Sequence, residues 1–456
     1  MRLLLASGLM VTTCSVLGSA QAPPNWLDPY RANAERLIAA ARADQFAWHR
    51  LAELTDTFGA RFTGSANLER AIQWAVATMR RDGLEQVRTE PVMGPKWVRG
   101  RESLEIVEPP QHVIPVLGLG GSIGTPAGGI EADVLVVNDG AELERRSSEA
   151  AGRIVLFNVP YTDYGATVPY RAGGAVMAAR HGAVGMLVRS VGPIGLRTVH
   201  TGGMSYAEGV PRIPAAAVSV EDAERIARLI ARGVRVRLRL AMEGRFDPDA
   251  QTFNVVGELR GSERPEEIVL IGCHFDSWDV GTGASDDAVG CIVTWETVRL
   301  MKALNIRPKR TIRLVLFTNE ENGLRGANAY RDRYLNDAAN HVFALESDSG
   351  VFAPARLGFT GSAAARAIIG DIARLLAPIG MQTVIDGGGG ADIGPIAAAG
   401  KVPTMAYAGD ATRYFTIHHT PADTVDRIDP TEVSTAAASI AAMVYVIADM
   451  PQRLPK

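Results

Sequence analysis

Cysteine is scarce in this chain of 456 residues, which contains only three. A protein that depends on disulfides for its stability needs a much denser set, so the sequence excludes a disulfide scaffold. An excess of charge of one sign is also missing, because 47 Lys and Arg residues against 50 Asp and Glu residues leave a net charge of −3. Such a chain has no overall field that would draw it to nucleic acid or anionic lipid, and we expect no nucleic-acid partner.

Sequence repeats and low-complexity tracts are absent, and so are the many long apolar runs of a multi-spanning membrane protein. Hydrophobic residues make up 47% and charged residues 21% of the chain, which is typical of a soluble protein with a sizeable core. The length predicts about two to four domains. The apolar segment from Pro430 to Asp449 is predicted to be a core helix rather than a membrane span.

The first 22 residues have the organisation of a cleaved export signal. Arg2 gives a positive start, Leu3 to Leu17 form an apolar centre, and Ala20-Gln21-Ala22 matches a small-x-small cleavage site. The apolar centre is shorter than the roughly 20 residues that a spanning helix needs, so a membrane anchor is the less favoured alternative. We expect a periplasmic or secreted protein that starts near Pro23 and keeps no stable association with the membrane.

The mature chain would then contain two cysteines, Cys273 and Cys291. An oxidising compartment would permit a disulfide between them, and sequence alone leaves open whether their geometry allows it. We interpret both as core residues.

Hydrophobic patterning divides the mature chain into three parts. The first, 23–127, begins with helical patterns at 31–43, 47–58 and 65–82. Residues 128–245 alternate short apolar runs with Gly and Pro turns, which predicts an inserted, smaller, β-rich domain. From residue 246 to 456 strands and helices alternate regularly. The prediction is an α/β fold in which a mixed, mostly parallel sheet is sandwiched by helices.

Histidines and acidic residues follow the ends of predicted strands in the last part. The run from Ile268 to Cys273 is continuously apolar, as in a strand buried on both faces, and it leads directly into a first group of such residues. Four later groups follow a Gly-rich loop and the strands predicted at 311–317, 341–345 and 414–417. In chain order the five groups are His274 with Asp276, Ser285-Asp286-Asp287, Glu320-Glu321, Asp348, and His418-His419. Ligands of open α/β sheets bind beyond the carboxyl ends of the strands, so we expect these side chains to converge.

A converging set of carboxylates predicts a metal site, because like charges at close range repel strongly unless a cation lies between them. Imidazole and carboxylate ligands together suit zinc, and an odd number of carboxylates leaves one to bridge two ions. Each of these residues alone is more often structural. Their ordered occurrence at successive strand ends carries the prediction.

The motifs HFDSWDVGTGASDDA, FTNEENG, LESDSG and HHTPADT resemble those of metallopeptidase family 28, the di-zinc exopeptidases. The resemblance covers nearly the whole mature chain and is most specific from 268 to 450. Residues 128–245 are similar to the protease-associated domain that many members carry. This insert would be a lid over the active-site cleft, with a spacer or a homodimer contact as the alternative.

The resemblance implies two zinc ions per chain that share the carboxylate of Asp286. One ion would be held by His274, Asp286 and Asp348, and the other by Asp286, Glu321 and His419. Glu320 matches the catalytic base, and Asp276 matches the carboxylate that orients His274. In the family the peptide at the position of Asp286-Asp287 is often cis. His418 is the alternative to His419 as a ligand.

One stretch departs from the family pattern, since Gly387 to Ile393 stands where many relatives have a Ser-Asp-His run. Asp392 keeps the acidic position, and we expect it to line the substrate pocket and hold a peptide's terminal ammonium. The alternative is that Asp392 caps a helix at 393–399. The departure affects substrate preference rather than zinc chemistry.

The expected function is hydrolysis of dipeptides and short peptides with free termini by a metal-activated water, with Glu320 as general base. A zinc-dependent deacylase or a glutaminyl cyclase-like acyltransferase on a related fold is the main alternative. A non-catalytic, receptor-like member would have lost ligands or the base, and this sequence retains them all.

Overall fold

The computed structural model describes residues 25–109 and 112–456. The expected export signal at 1–22 lies outside the described residues. The helices, in chain order, are α1 (Asp28–Ala43), α2 (Phe46–Phe58), α3 (Ala66–Arg81), α4 (Gly140–Arg145), α5 (Tyr164–Ala179), α6 (Val220–Ala231), α7 (Val289–Ala303), α8 (Arg325–Tyr334), α9 (Ala363–Ala373), α10 (Gly394–Gly400), α11 (Ala411–Ile417) and α12 (Pro430–Asp449). Short helical turns occur at Ser147–Glu149, Ala284–Ala288, Leu335–Asn340, Arg374–Ile379 and Val425–Arg427.

The strands form two sheets. In chain order they are β1 (Glu85–Val98), β2 (Glu102–Glu108), β3 (His112–Ile114), β4 (Val116–Gly118), β5 (Ile130–Val137), β6 (Ile154–Phe157), β7 (Gly185–Arg189), β8 (Ala215–Val218), β9 (Arg237–Met242), β10 (Arg245–Leu259), β11 (Arg264–His274), β12 (Arg310–Phe317), β13 (His341–Glu346), β14 (Arg356–Thr360), β15 (Val384–Asp386) and β16 (Thr404–Ala408).

The larger sheet has the strand order β1-β10-β12-β11-β13-β16-β14-β15. Its centre is parallel, because β11 pairs in parallel with both β12 and β13, and β13 pairs in parallel with β16. Antiparallel pairs join β1 to β10, β10 to β12 and β14 to β16. The predicted mixed, mostly parallel sheet is confirmed, and its parallel centre places the carboxyl ends of β11, β12 and β13 at one edge.

Helices cover both faces of this sheet. Successive strand residues point to opposite faces, so Val269 and Ile271 of β11 pack into a core cluster with residues of α1, α7 and α12. Ile268 and Leu270 pack on the other face with residues of α8 and α10. Helix α12 is long and apolar enough to cross a membrane, but 78% of its apolar window is buried inside the protein. It is the central helix of the larger core cluster.

The smaller sheet has the order β3-β2-β9-β5-β6-β7-β8-β4 and is inserted between β1 and β10. Its first strand in the chain begins at Glu102, whereas the sequence predicted that the insert begins at 128. The boundary was wrong because β2 joins the insert through pairing with the distant β9, for example Leu104 with Leu240. Local patterning does not reveal a partner so far away in the chain.

The predicted strand at 414–417 is wrong, since these residues belong to the helix α11. The side chain of Asp410 accepts hydrogen bonds from the backbone N–H groups of Thr412 and Arg413, which caps the start of this helix. A run of four residues is too short for its periodicity to distinguish helix from strand. The strand that precedes the two histidines is β16.

Candidate active site

The predicted metal ligands converge at the carboxyl edge of the larger sheet. His274 is the last residue of β11, and Glu321 follows β12. Asp348 follows β13, and Asp286 lies in the turn that leads into α7. His419 follows α11, at the same edge. The parallel order of the central strands therefore brings together residues that are far apart in the chain.

The carboxylate of Asp286 lies between two histidines. Its Oδ1 is 3.1 Å from His274 Nε2, and its Oδ2 is 3.1 Å from His419 Nε2. On the first side, Asp348 Oδ1 is 3.4 Å from His274 Nε2. On the second side, Glu321 Oε2 is 3.1 Å from His419 Nε2. Two groups of ligand atoms thus share one carboxylate, as the motif resemblance implied.

The donor atoms at this site suit zinc. Within the described residues, Asp286 Oδ2 and Glu321 Oε1 are buried and accept no hydrogen bond. Asp286 Oδ2 therefore lies close to His419 Nε2 without a hydrogen bond between them. Ligand atoms that bind one metal ion are arranged in this way. Imidazole nitrogens and carboxylate oxygens in this combination are ligands that zinc prefers.

The electrostatics of the site also suit a cation. Burial, together with the nearby Asp286 carboxylate, raises the pKa of Glu321 to about 7. Burial opposes a charge on His419, but the carboxylates of Glu321 and Asp286 together outweigh this and raise the pKa of His419 to about 10. Burial also raises the pKa of Glu320 well above its usual value, with a contribution from Glu321. Crowded carboxylates disfavour one another's ionisation, and a divalent cation would relieve that repulsion.

Asp276 does not orient His274 through its carboxylate, which corrects the prediction. His274 Nδ1 is instead 3.0 Å from the backbone carbonyl oxygen of Asp276. The Asp276 carboxylate accepts the backbone N–H of Glu320 at 3.2 Å and the hydroxyl of Thr63 at 3.4 Å. The side chain of Asp276 therefore positions the loop of Glu320, while its backbone fixes the imidazole ring.

Two further acidic residues hold the segment of Asp286 in place. Asp423 accepts hydrogen bonds from the backbone N–H and the hydroxyl of Ser285, at 2.7 and 2.9 Å, and from the N–H of Asp286 at 3.2 Å. Asp287 accepts the N–H of His274 at 3.3 Å and that of Gly290 at 3.1 Å. The Asp286-Asp287 peptide is cis. Asp423 and Asp287 thus act on the site through the backbone.

A disulfide lies directly behind the site. Cys273, adjacent to His274, pairs with Cys291 of α7, and their Cα atoms are 5.0 Å apart. Both cysteines are buried in the core, as expected, and the structure adds the bond that the sequence left open. The strand that ends in a ligand is therefore covalently joined to the helix that follows Asp286.

His418, the alternative ligand, lies at the edge of the cluster. Its Nε2 is 3.5 Å from Asp286 Oδ2, and its ring stacks on that of His419 with centroids 3.5 Å apart. His419 is closer to Asp286 and also contacts Glu321. The geometry therefore favours His419 as the ligand.

Asp392 does not match either of its expected roles. It is completely buried, and the cavity that opens onto the ligand cluster is lined by other residues. Helix α10 begins at Gly394 without a side-chain cap. The N–H groups of Asp392 and Ile393 instead donate to Glu346 Oε2, at 3.0 and 2.9 Å. Burial and the Glu346 carboxylate raise the pKa of Asp392 well above its usual value.

A cavity of about 580 Å³ opens onto the ligand cluster. Its walls include Glu320 and the predicted ligands, together with Tyr164, Arg171 and Gly203 of the insert. The insert thus forms part of the cavity wall. Sequence reasoning missed these residues, because nothing near them in the chain resembles a catalytic motif and only the tertiary fold brings them to the site.

Comparisons with known proteins agree with this geometry. Residues 254–444 match the family model of peptidase family M28. The chain is 46% identical to human carboxypeptidase Q over 420 residues, which cover 92% of this chain and 89% of the human protein. It is also 46% identical to mouse carboxypeptidase Q over 409 residues, which cover 90% of this chain and 87% of the mouse protein.

Solved structures show the same fold. A peptidase M28 precursor from Shewanella amazonensis SB2B has a TM-score of 0.90 and 33% sequence identity, with 94% of this chain and 99% of that chain covered. BSAP, a zinc aminopeptidase from Bacillus subtilis, has a TM-score of 0.67 at 19% identity, with 89% of this chain and 95% of that chain covered. The similarity thus extends over the insert and the larger sheet together. On its sequence, its fold and the arrangement of its buried histidines and carboxylates, the chain belongs to peptidase family M28.

Proposed function

We propose that this chain is an exported zinc exopeptidase that hydrolyses short peptides at a centre of two metal ions. The observation that carries the proposal is the carboxylate of Asp286, whose two oxygens face two separate pairs of ligand side chains. The similarity to carboxypeptidases Q and to a zinc aminopeptidase supports the reaction class and the metal.

Zinc would be held on one side by His274, Asp286 and Asp348, and on the other by Asp286, Glu321 and His419. When bound there, zinc supplies a Lewis acid and lowers the pKa of a coordinated water towards about 7. The buried disulfide and the hydrogen bonds of Asp423 and Asp287 hold the ligand-bearing segments rigid before any substrate arrives.

Glu320 is the proposed general base. It lines the cavity beside the ligands, and it forms no ion pair within the described part of the chain. Burial raises its pKa, which suits a carboxylate that accepts a proton from the attacking water and then donates it to the leaving amine. Asp276 accepts the backbone N–H of Glu320 and so restrains the loop that carries the proposed base.

The insert restricts the substrate to short peptides. Tyr164, Arg171 and Gly203 of the insert line the cavity next to the ligands. A cavity of about 580 Å³ accommodates a few residues of peptide and excludes a folded protein.

A peptide-library digest followed by mass spectrometry, with and without a chelator, tests this function. We expect loss of single terminal residues from short peptides, with activity abolished by the chelator. Free dipeptides should be cleaved faster than N-acyl amino acids. Faster turnover of N-acyl amino acids would identify a deacylase, and conversion of glutaminyl peptides to pyroglutamyl products would identify an acyltransferase.

Export is part of the proposal and rests on the pattern of residues 1–22. The intact mass of the protein from its native host should correspond to a chain that starts at or near Pro23. A full-length chain that remains in the cytoplasm would contradict it.

A further inference from the structure

Arg61 is a buried cation whose side chain bonds to backbone carbonyl oxygens and, within the described part of the chain, to no carboxylate. It lies between α2 and α3, and water does not reach its side chain. Nε donates to the carbonyl of Phe275 at 2.9 Å, Nη1 to those of Gly59 and Thr282 at 3.1 and 2.7 Å, and Nη2 to that of Gly283 at 3.2 Å. Buried arginines are usually paired with an acid, because an uncompensated charge away from water is costly.

The carbonyl groups that Arg61 binds flank two of the proposed metal ligands. Phe275 directly follows His274, and Gly283 comes three residues before Asp286. The guanidinium therefore bridges the segment that leaves β11 and the segment that enters the turn before α7. Its donors have a fixed, planar arrangement, so these bonds restrain the distance between the two segments. The ligand atoms that the segments carry, His274 Nε2 and Asp286 Oδ1, are 3.1 Å apart.

The backbone of Arg61 is attached to the same segment as its side chain. Its N–H donates to Ser277 Oγ at 2.9 Å, and its carbonyl accepts the N–H of Ser277 at 3.3 Å. Gly283, with φ +57°, passes so close that a Cβ atom there would stand 2.3 Å from Ser277 Cβ. The three residues thus pack against one another with no space for a further side chain.

The charge of Arg61 lies in the field of the acidic residues at the site. Burial lowers the pKa of Arg61 to about 10, although the carboxylates of Asp423, Asp276, Asp287 and Glu321 act to raise it. The guanidinium therefore remains charged at neutral pH. Neutral donors could join the same carbonyl groups at a lower cost of desolvation. The cation is thus related to the metal centre by charge as well as by position.

We propose that Arg61 is a positioning residue of the metal centre, which sets the separation of His274 and Asp286 for zinc by joining the segments next to them. This inference rests on the proposed two-metal function. It gives residues 23–127 a part in zinc binding, although every proposed ligand lies later in the chain. Loss of the guanidinium should therefore weaken zinc binding and not only the fold.

The test compares the zinc affinity of wild type, Arg61→Gln and Arg61→Lys by competition with a chelator. Arg61→Lys keeps the charge and loses the planar set of donors. Arg310→Gln is the matched control, since Arg310 is equally buried, donates to Glu267 and to the carbonyls of Ile447 and Met450, and lies at the start of β12, away from the site. We expect both Arg61 variants to bind zinc about 10- to 100-fold more weakly, as when a group that orients metal ligands is lost. The control should keep the wild-type affinity.

Thermal unfolding with zinc and with chelator gives a second readout. Zinc stabilises the folded protein by an amount that depends on its affinity, so a variant with weaker binding gains less from the metal. The melting temperature of Arg61→Gln should therefore fall further below wild type in the zinc-loaded protein than in the chelator-treated protein. Arg310→Gln should lose the same amount in both. The visible spectrum of the cobalt-loaded protein should change in Arg61→Gln and stay as in wild type in the control.

Unchanged zinc affinity in a folded Arg61→Gln, with equal losses of melting temperature in the two states, would overturn the inference and leave Arg61 a role in the fold alone. Failure of both Arg61 variants to fold would overturn it as well. A wild type that binds no zinc would instead refute the proposed function on which the inference rests.

Discussion

The Oδ1 atom of Asp276 accepts the backbone N–H of Glu320 at 3.2 Å. Asp276 is completely buried, so this bond is shielded from water. The contact links the loop after β11 to the loop after β12, so the Asp276 carboxylate holds the backbone of the proposed base Glu320.

We expect Asp276→Ala to lower kcat by about 10- to 100-fold, as is usual when a supporting hydrogen bond behind an active-site group is lost. Zinc content should stay at the wild-type value, because the backbone carbonyl that contacts His274 remains. Kinetics and metal analysis on the same preparation check this. Asp279→Ala, three residues further along and paired with Arg99, is the control. Loss of zinc in the Asp276 variant would mean that the Asp276 carboxylate does orient His274.

Glu320→Gln and Glu321→Gln should behave differently although the residues are adjacent. Glu320→Gln keeps the size of the side chain and removes the proton acceptor, so we expect intact zinc binding and a loss of about 10²- to 10⁴-fold in kcat. Glu321→Gln should instead weaken metal binding, and excess zinc should restore part of its activity. Metal titrations of both variants distinguish these outcomes, and the reverse pattern would mean that base and ligand have been exchanged.

Asp286→Ala should disturb both metal positions because its two oxygens face the two histidines separately. His274→Ala should chiefly weaken the position that it shares with Asp348. Metal analysis after dialysis should therefore find little zinc in the first variant and about one ion per chain in the second. Two ions retained in Asp286→Ala would contradict the shared carboxylate.

His341, at the start of β13, should make stability depend on pH. Its Nε2 lies 2.9 Å from the hydroxyl of Tyr330, and burial together with the charge of Arg313 lowers its pKa to about 4. In the unfolded chain a histidine has a pKa of about 6.5, so between these values the unfolded state binds more protons. Acidification through this window should lower the free energy of unfolding by up to about 1.4 kcal/mol per pH unit.

The His341→Gln variant tests this contribution. Urea unfolding of the chelator-treated protein at pH 7 and pH 5 should give a smaller loss of stability in the variant than in the wild type. Because both proteins contain the same ligand cluster, the difference between them isolates His341. Equal losses would show that the histidine titrates normally in the folded protein.

The larger domain was predictable from sequence wherever local pattern and tertiary structure coincide. The continuous apolar run before His274 becomes β11, buried on both faces, and parallel strand order then places its end next to those of β12 and β13. The ligand positions could be predicted from the sequence motifs that contain them. Asp276 was assigned the wrong contact because a motif identifies the residue and not which of its atoms meets the histidine.

Other features depend on contacts between distant parts of the chain. The start of the insert was misplaced because β2 pairs with β9, more than a hundred residues away. Arg171 was missed for the same reason, since its place beside His419 follows from how two domains meet. Asp392 was placed in the pocket from a sequence match alone, and its burial behind Glu346 could not be read from neighbouring residues.

The long antiparallel pair of β1 and β10 carries the insert at its end, where Val98 pairs with Arg245. The chain therefore leaves the larger sheet and returns to it at neighbouring positions, and a short turn would reconnect the two strands if residues 99–244 were removed. The proposed metal ligands and the base Glu320 all lie after this junction in the chain, beyond residue 245. A different insert at the same point would change which peptides can enter the cavity. The proposed metal ligands and the base would stay the same.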